Sequence, residues 1–325
     1  MGNLVKGARL PFRPLFGRAS PRETHFHFSV EKQCVLWYNE LPSTFEVNKM
    51  DVSIREPRHE SLYLDLRRIG FHDIDVGFPS WNQRQSILSE EFEAAMMEKY
   101  KRIVSAGLKV SQAHLTYYPC HIPPLGNGEY AAYEDYMLPI FKREIELISK
   151  MNCKIAVIHL YFEDSKDKSR AANLRLIEKL LPVLKEQNVV LCIENIYAAE
   201  YGDAHLSTAE DLLFYTDHFQ SDHLGICLDT GHAITRRQDP IAMATKIGKD
   251  LKALHLHSNA SGKDLHLPPL FVPRVDWSRF CTVLREIRYP GAFNMEIAAP
   301  QQMNQRATLL YYEMVYEIAS DLIRP

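Results

Sequence analysis

Four short apolar runs, each carrying a metal-binding type of side chain at or near its end, constrain this chain more than any other feature. They span 189–195, 224–232, 251–257 and 292–297 and bring Glu194, Asp229, His255 and Glu296. Runs of this length without polar alternation suit strands buried on both faces of a parallel sheet. Chemistry carried by such strands is expected at their C-terminal ends, where the loops to the next helices begin.

The same alternation reaches back to Met50. Strands are expected at 51–54, 72–78, 109–115 and 154–160, ahead of those four. Amphipathic helices are expected near 58–69, 90–106, 130–151, 168–187, 208–220, 240–249, 276–287 and 301–322. Eight strand–helix units at this pitch predict an α/β chain folded as a single (β/α)8 barrel over 50–325. The competing architecture, an open doubly wound sheet, usually announces itself by a G-x-G-x-x-G turn, and none of the 14 glycines forms one. Irregular stretches at 79–89, 117–129, 161–167 and 258–275 all follow strands, which puts them at the barrel mouth, the last as a cap over a ligand.

Residues 1–49 stand apart, with Lys6, Arg9, Arg13, Arg18 and Arg22 preceding the first acid, Glu23. This stretch reads either as an organelle-targeting segment or as a poorly ordered N-terminal extension, and no catalytic role is assigned to it. Over the whole chain, 46% hydrophobic and 24% charged residues suffice for a full core. A net charge of −3 and a pI near 6.5 supply no global basic field for nucleic acid or an anionic membrane. Six scattered cysteines without a C-x-x-C pair read as reduced and mostly buried, and no apolar run approaches membrane-span length. The expected setting is therefore cytoplasmic, with a small molecule as partner and homo-oligomerisation left open.

Taken as an ordered set, IEN at 193–195, LDTGHA at 228–233, LHLHSN at 254–259, D-x-H-x-P-P at 264–269, VDW at 275–277 and YPGAFNMEI at 289–297 resemble the xylose isomerase-like barrels. That family includes sugar-phosphate isomerases and epimerases and the endonuclease IV nucleases. The resemblance, over about 50–322, implies one divalent ion (Mn, Co, Mg or Zn) on Glu194, Asp229, His255 and Glu296, a hard oxygen and nitrogen set. In the isomerase and epimerase branch it further implies that Glu194 and Glu296 move a proton beside a carbonyl of a sugar or sugar-like polyol ketone, through a metal-stabilised enediolate.

His232 matches a substrate-contacting histidine of that branch, and Glu200 falls where some ketose 3-epimerases keep a polar contact. The arginine those enzymes carry six residues past the metal histidine is Ser261 here, which argues against a free-ketose 3-epimerase. His114 and His159, which end the third and fourth expected strands, and His266 in the last mouth loop are candidate substrate contacts. Together with Asp264 they also complete the residue types of the trinuclear zinc site of endonuclease IV, so phosphodiester hydrolysis is the alternative. A lyase or dehydratase is the nearer variant, since it shares the first proton transfer. Phe78, Trp81, Tyr117, Tyr118 and Tyr161 are candidate walls of a sugar pocket, and Arg236, Arg237 and Lys263 candidate phosphate contacts.

Overall fold

Strand and helix follow one another along the chain in the order expected of a barrel. The computed structural model describes residues 50–79, 86–116, 130–162, 165–197, 206–260, 262–272 and 274–324. The extension at 1–49, Trp81, Tyr117, Tyr118, Glu200 and Ser261 lie outside the described residues. The strands are β1 (Val52–Arg55), β2 (Asp73–Gly77), β3 (Lys109–His114), β4 (Ile155–Ile158), β5 (Val190–Glu194), β6 (Leu224–Asp229), β7 (Leu251–His255) and β8 (Phe293–Met295). The helices are α1 (Tyr63–Ile69), α2 (Glu90–Ser105), α3 (Tyr130–Lys150), α4 (Lys166–Gln187), α5 (Ala209–Phe219), α6 (Thr230–Thr235), α7 (Pro240–Ile247), α8 (Trp277–Glu286) and α9 (Gln305–Leu322).

Each strand pairs in parallel with its neighbour in the chain, and β8 returns to pair with β1. A parallel bridge between Leu256 and Met295, with Leu256 N–H on the Asn294 carbonyl at 2.9 Å and Glu296 N–H on the Leu256 carbonyl at 3.2 Å, joins β7 to β8 and completes the ring. Such closure removes the exposed strand edges that an open sheet would carry.

One element differs from expectation in kind. The apolar run at 224–232 does not continue as strand to His232; it stops at Asp229, whose Oδ1 accepts the His232 N–H at 2.6 Å and caps α6. A capping aspartate satisfies a donor that the first helical turn leaves free, so the chain turns helical as soon as the cap is made. At the start of the barrel, α1 begins at Tyr63 behind a short 3-10 turn (Glu60–Leu62). At its end, α9 begins at Gln305, capped by Asn304, whose Oδ1 takes the Ala307 N–H at 3.0 Å.

The main core lies between the ring of strands and the helices, with Leu66, Phe71, Ile74, Ile103, Phe141 and Phe280 fully enclosed. Phe78 belongs to it and packs on Phe92, and Tyr161 is buried there as well. A second, small cluster of Val157, Cys192, Cys227 and Ala253 fills the barrel interior. Side chains alternate along a strand, so Cys192 shares its face with Glu194, Cys227 with Asp229, and Ala253 with His255. The described cysteines Cys153, Cys192, Cys227 and Cys281 are all free and buried. Among the described residues, no helix is long and apolar enough to cross a membrane.

Candidate metal centre

Glu194, Asp229 and His255 are the last residues of β5, β6 and β7, and Glu296 follows β8 directly. One ligand atom from each lies within 4.8 Å of the others, and all four side chains are buried. His255 Nδ1 is 3.1 Å from Glu194 Oε1, 3.5 Å from Glu296 Oε2 and 3.9 Å from Asp229 Oδ2. Even so, neither ring nitrogen of His255 nor Glu296 Oε2 makes a hydrogen bond of acceptable geometry. Three buried carboxylates this close are costly unless positive charge lies among them, and the unpartnered His255 Nδ1 and Glu296 Oε2 face each other at 3.5 Å. The donor set is hard and mixed, so the residues fit a divalent ion.

Beneath this ring sits Asp75 of β2, which the sequence reading did not single out. Its Oδ2 accepts from Gln112 Nε2 at 3.2 Å and Asn294 Nδ2 at 3.0 Å, and lies 3.4 Å from His255 Nε2. His255 thus turns Nε2 towards Asp75 and Nδ1 towards the carboxylates, the arrangement in which a carboxylate fixes the orientation of a metal-binding imidazole. The available signal was an aspartate interrupting the apolar run HDIDVGF. Asn195 ties the ends of β5 and β6 together, its Oδ1 accepting the Asp229 N–H and its Nδ2 donating to the Asp229 carbonyl, both at 2.8 Å.

His257 was also missed. It lies two residues past His255, and its Nε2 meets Asp229 Oδ2 at 2.9 Å while its ring stacks on His266 at 4.2 Å between centroids. Gly231 makes this possible: a Cβ there would sit 2.0 Å from His257 Cε1 and 2.7 Å from Asn259 Nδ2. Cys227 brings its thiol within 4.8 Å of ligand atoms of Glu194 and His255, and burial pushes that thiol well above its usual range.

The remaining histidines gather at the same mouth. Glu194 Oε2 meets His114 Nε2 at 3.2 Å and His159 Nε2 at 3.0 Å. His232 pairs its Nδ1 with the Asn195 carbonyl at 2.8 Å and holds Nε2 3.6 Å from Asp264 Oδ2. His266 Nδ1 meets the Glu296 carbonyl at 2.8 Å and Nε2 meets Asp264 Oδ2 at 3.1 Å. Whereas Phe78 and Tyr161, expected as pocket walls, are buried in the core, Glu194, Asp229, His255, Glu296, His114, His159, His232 and His266 therefore lie in one cluster. Their electrostatics are mutual: burial pushes the Glu194 carboxyl up, but His255, His159 and His114 outweigh it and hold it well below the usual carboxylate range. Burial likewise opposes ionisation of Asp229, and His232 and His257 overcome it. His232 is raised despite burial by Asp229, Asp264 and Glu194, and His266 is pushed up to about 9, burial being outweighed by Asp264 and Glu296. His159 is lowered, because burial outweighs Glu194 there.

Comparison with known proteins agrees with this architecture. The family described as xylose isomerase-like TIM barrel matches residues 64–313. An uncharacterized protein, y4fM, of Sinorhizobium fredii is 24% identical over 294 residues, covering 81% of this chain and 90% of the relative. A probable endonuclease 4 of Mycoplasmopsis pulmonis is 27% identical over 193 residues, covering 54% of this chain and 66% of the relative. Among solved structures, a D-psicose 3-epimerase crystallised in the presence of D-fructose superposes with a TM-score of 0.64 at 15% identity, over 84% of this chain and 99% of that one.

Proposed function

Since the chain belongs to the xylose isomerase-like TIM barrel family, we propose that it is a divalent-metal-dependent isomerase or epimerase acting on a sugar or sugar-like polyol ketone. The observation that carries this reading is the meeting of Glu194 and Glu296, from β5 and β8, with Asp229 and His255 at one buried point. The similarity of the fold to a ketose epimerase adds support.

Glu194, Asp229, His255 and Glu296 would hold the ion, which when bound would draw charge from the substrate carbonyl and so acidify the C–H beside it. Glu194, kept ionised by its histidines, would take that proton, and Glu296 would deliver one from the β8 side. His232 would donate from Nε2 to a substrate oxygen, its Nδ1 being committed to Asn195. His114, His159 and His266 would border the same space, with Asp75 holding His255 in orientation. The test is elemental analysis of protein purified without chelator, followed by a ketose panel in heavy water read by NMR. About one ion per chain and deuterium entering a carbon beside the carbonyl are expected; no exchange in any ketose by metal-loaded protein would sink the reading.

A second reading, phosphodiester hydrolysis at a trinuclear zinc centre, is favoured by one specific observation. Glu194 Oε2 is shared by His114 and His159, while Asp264 Oδ2 is shared by His232 and His266, so two further groups of ligand type flank the first. Three zinc ions per chain and salt-sensitive incision of a duplex carrying an abasic site would establish it. One ion and an intact duplex would exclude it.

A further inference from the structure

Beside the metal centre, between the loop after β1 and the loop after β8, lies a cavity of about 280 Å³. Arg58, His59, Gln301, Thr308 and Tyr312 supply its polar lining, and no acidic residue takes part. Arg58 is exposed, and among the described residues no carboxylate comes within 4 Å of its guanidinium; the Gln301 amide lies against it and accepts from it once its oxygen is turned to face the guanidinium. Tyr312 is only 2% exposed, and its hydroxyl oxygen accepts the Ala299 N–H at 3.5 Å. No acceptor for the hydroxyl proton lies among the described residues, so Tyr312 adds a buried donor to the Arg58 guanidinium and the His59 imidazole. Thr308 is already committed, donating its hydroxyl to the Asn304 carbonyl at 3.0 Å.

Two links tie the cavity to the centre. Arg55, at the end of β1, places Nη1 3.7 Å from Glu296 Oε1, and the fields of both Arg58 and Arg55 reach the Tyr312 hydroxyl. Ala299 lines the cavity three residues after Glu296, so at most about 10 Å of extended chain separates the two. Arg55 thus touches the Glu296 carboxylate on one side and acts on the Tyr312 hydroxyl of the cavity on the other.

We propose that this cavity is an anion subsite, in which Arg58, His59 and the Tyr312 hydroxyl bind a carboxylate or phosphate at the end of the sugar remote from the reacting carbon. The substrate class is then an anionic sugar rather than a free ketose, and this inference rests on the isomerase or epimerase reading. A guanidinium with an adjacent hydroxyl donor suits either oxyanion, and a neutral sugar would leave the cationic lining without a partner.

The test is isothermal titration of the metal-loaded protein with inorganic phosphate, D-fructose 6-phosphate, D-fructuronate and D-fructose, on the wild type, Arg58→Ala and Tyr312→Phe. Deuterium exchange is followed for the same sugars. One anionic sugar is expected to bind at least tenfold more tightly than D-fructose, Arg58→Ala to abolish that advantage, and Tyr312→Phe to reduce it, with thermal melts unchanged. Preference for the 6-phosphate assigns a phosphate tail, and preference for the uronate assigns a carboxylate. Equal binding of D-fructose and both anions, or anion binding unaffected by Arg58→Ala, would overturn the subsite. Exchange of D-fructose with no preference for either anion would overturn the subsite while leaving the isomerase reading intact; an anion preference lost in Arg58→Ala with no exchange in any sugar would keep the subsite and remove the reading.

Discussion

Two layers of the barrel interior, one residue pair apart on the same strands, are chemical opposites. The lower holds Val157, Cys192, Cys227 and Ala253, small, apolar and enclosed. Two residues further along each strand stand His159, Glu194, Asp229 and His255. Burial is nearly complete in both layers, yet its effect differs: the lower thiols are pushed up and stay protonated, whereas Glu194 and Asp229 are pulled down by the histidines around them. Glu144 on α3 completes the contrast. Equally buried but bonded, among the described residues, only to Thr116, through its N–H at 3.1 Å and its hydroxyl, it is pushed up to about 8 by burial. Burial neutralises the Glu144 carboxyl, and the ring of imidazoles keeps Glu194 and Asp229 ionised against the same burial.

If the layers divide labour in this way, the largest effect comes from touching the upper one. Glu194→Gln should lower turnover by about 10²–10⁴-fold in steady-state assays while melting stays within a few degrees. Retained turnover would break the assignment of proton transfer to that layer. Next, Asp75→Asn should weaken metal binding by about 10–100-fold, read by competition with a chromogenic chelator, because His255 loses the carboxylate that orients it. The lower layer should answer in stability instead: Val157→Leu overfills it and should cost about 1–3 kcal/mol in denaturant unfolding with metal content unchanged.

The smallest expected effect is a pH slope from Glu144. Its folded pKa is raised to about 8, above the ordinary glutamate value of 4.5, so the folded state holds a proton that the unfolded chain releases. Stability from this group is full below about 4.5, declines as pH rises, and levels off above about 8. Glu144→Gln should flatten the melting temperature across that window, and an unchanged slope would show that the carboxyl is not protonated in the fold.

What could be read from the sequence follows from where the information is local. Each strand run ended on its own ligand type, so Glu194, Asp229, His255 and Glu296 were legible one strand at a time. The end of β6 was not, because the apolar run continues past Asp229 and only the cap shows where it stops. Asp75 escaped because its partners Gln112, Asn294 and His255 come from three other strands, and a closed ring is what brings them together. The cavity at Arg58 was illegible for the same reason, being made from the first and last loops of the barrel. His257, in contrast, was readable from period-two spacing after His255. Phe78 and Tyr161 looked like pocket walls and are buried in the core.

The fit between Gly231 and His257 has a consequence for descent. A side chain at 231 would displace the ring from Asp229, and a smaller residue at 257 would remove the closest of the contacts that hold 231 to glycine, leaving only the Asn259 amide. Positions 231 and 257 are therefore expected to be inherited as a pair. Among cousins of this chain, glycine at the one should travel with histidine at the other, and a lineage that loses the histidine is free to regain a side chain opposite it.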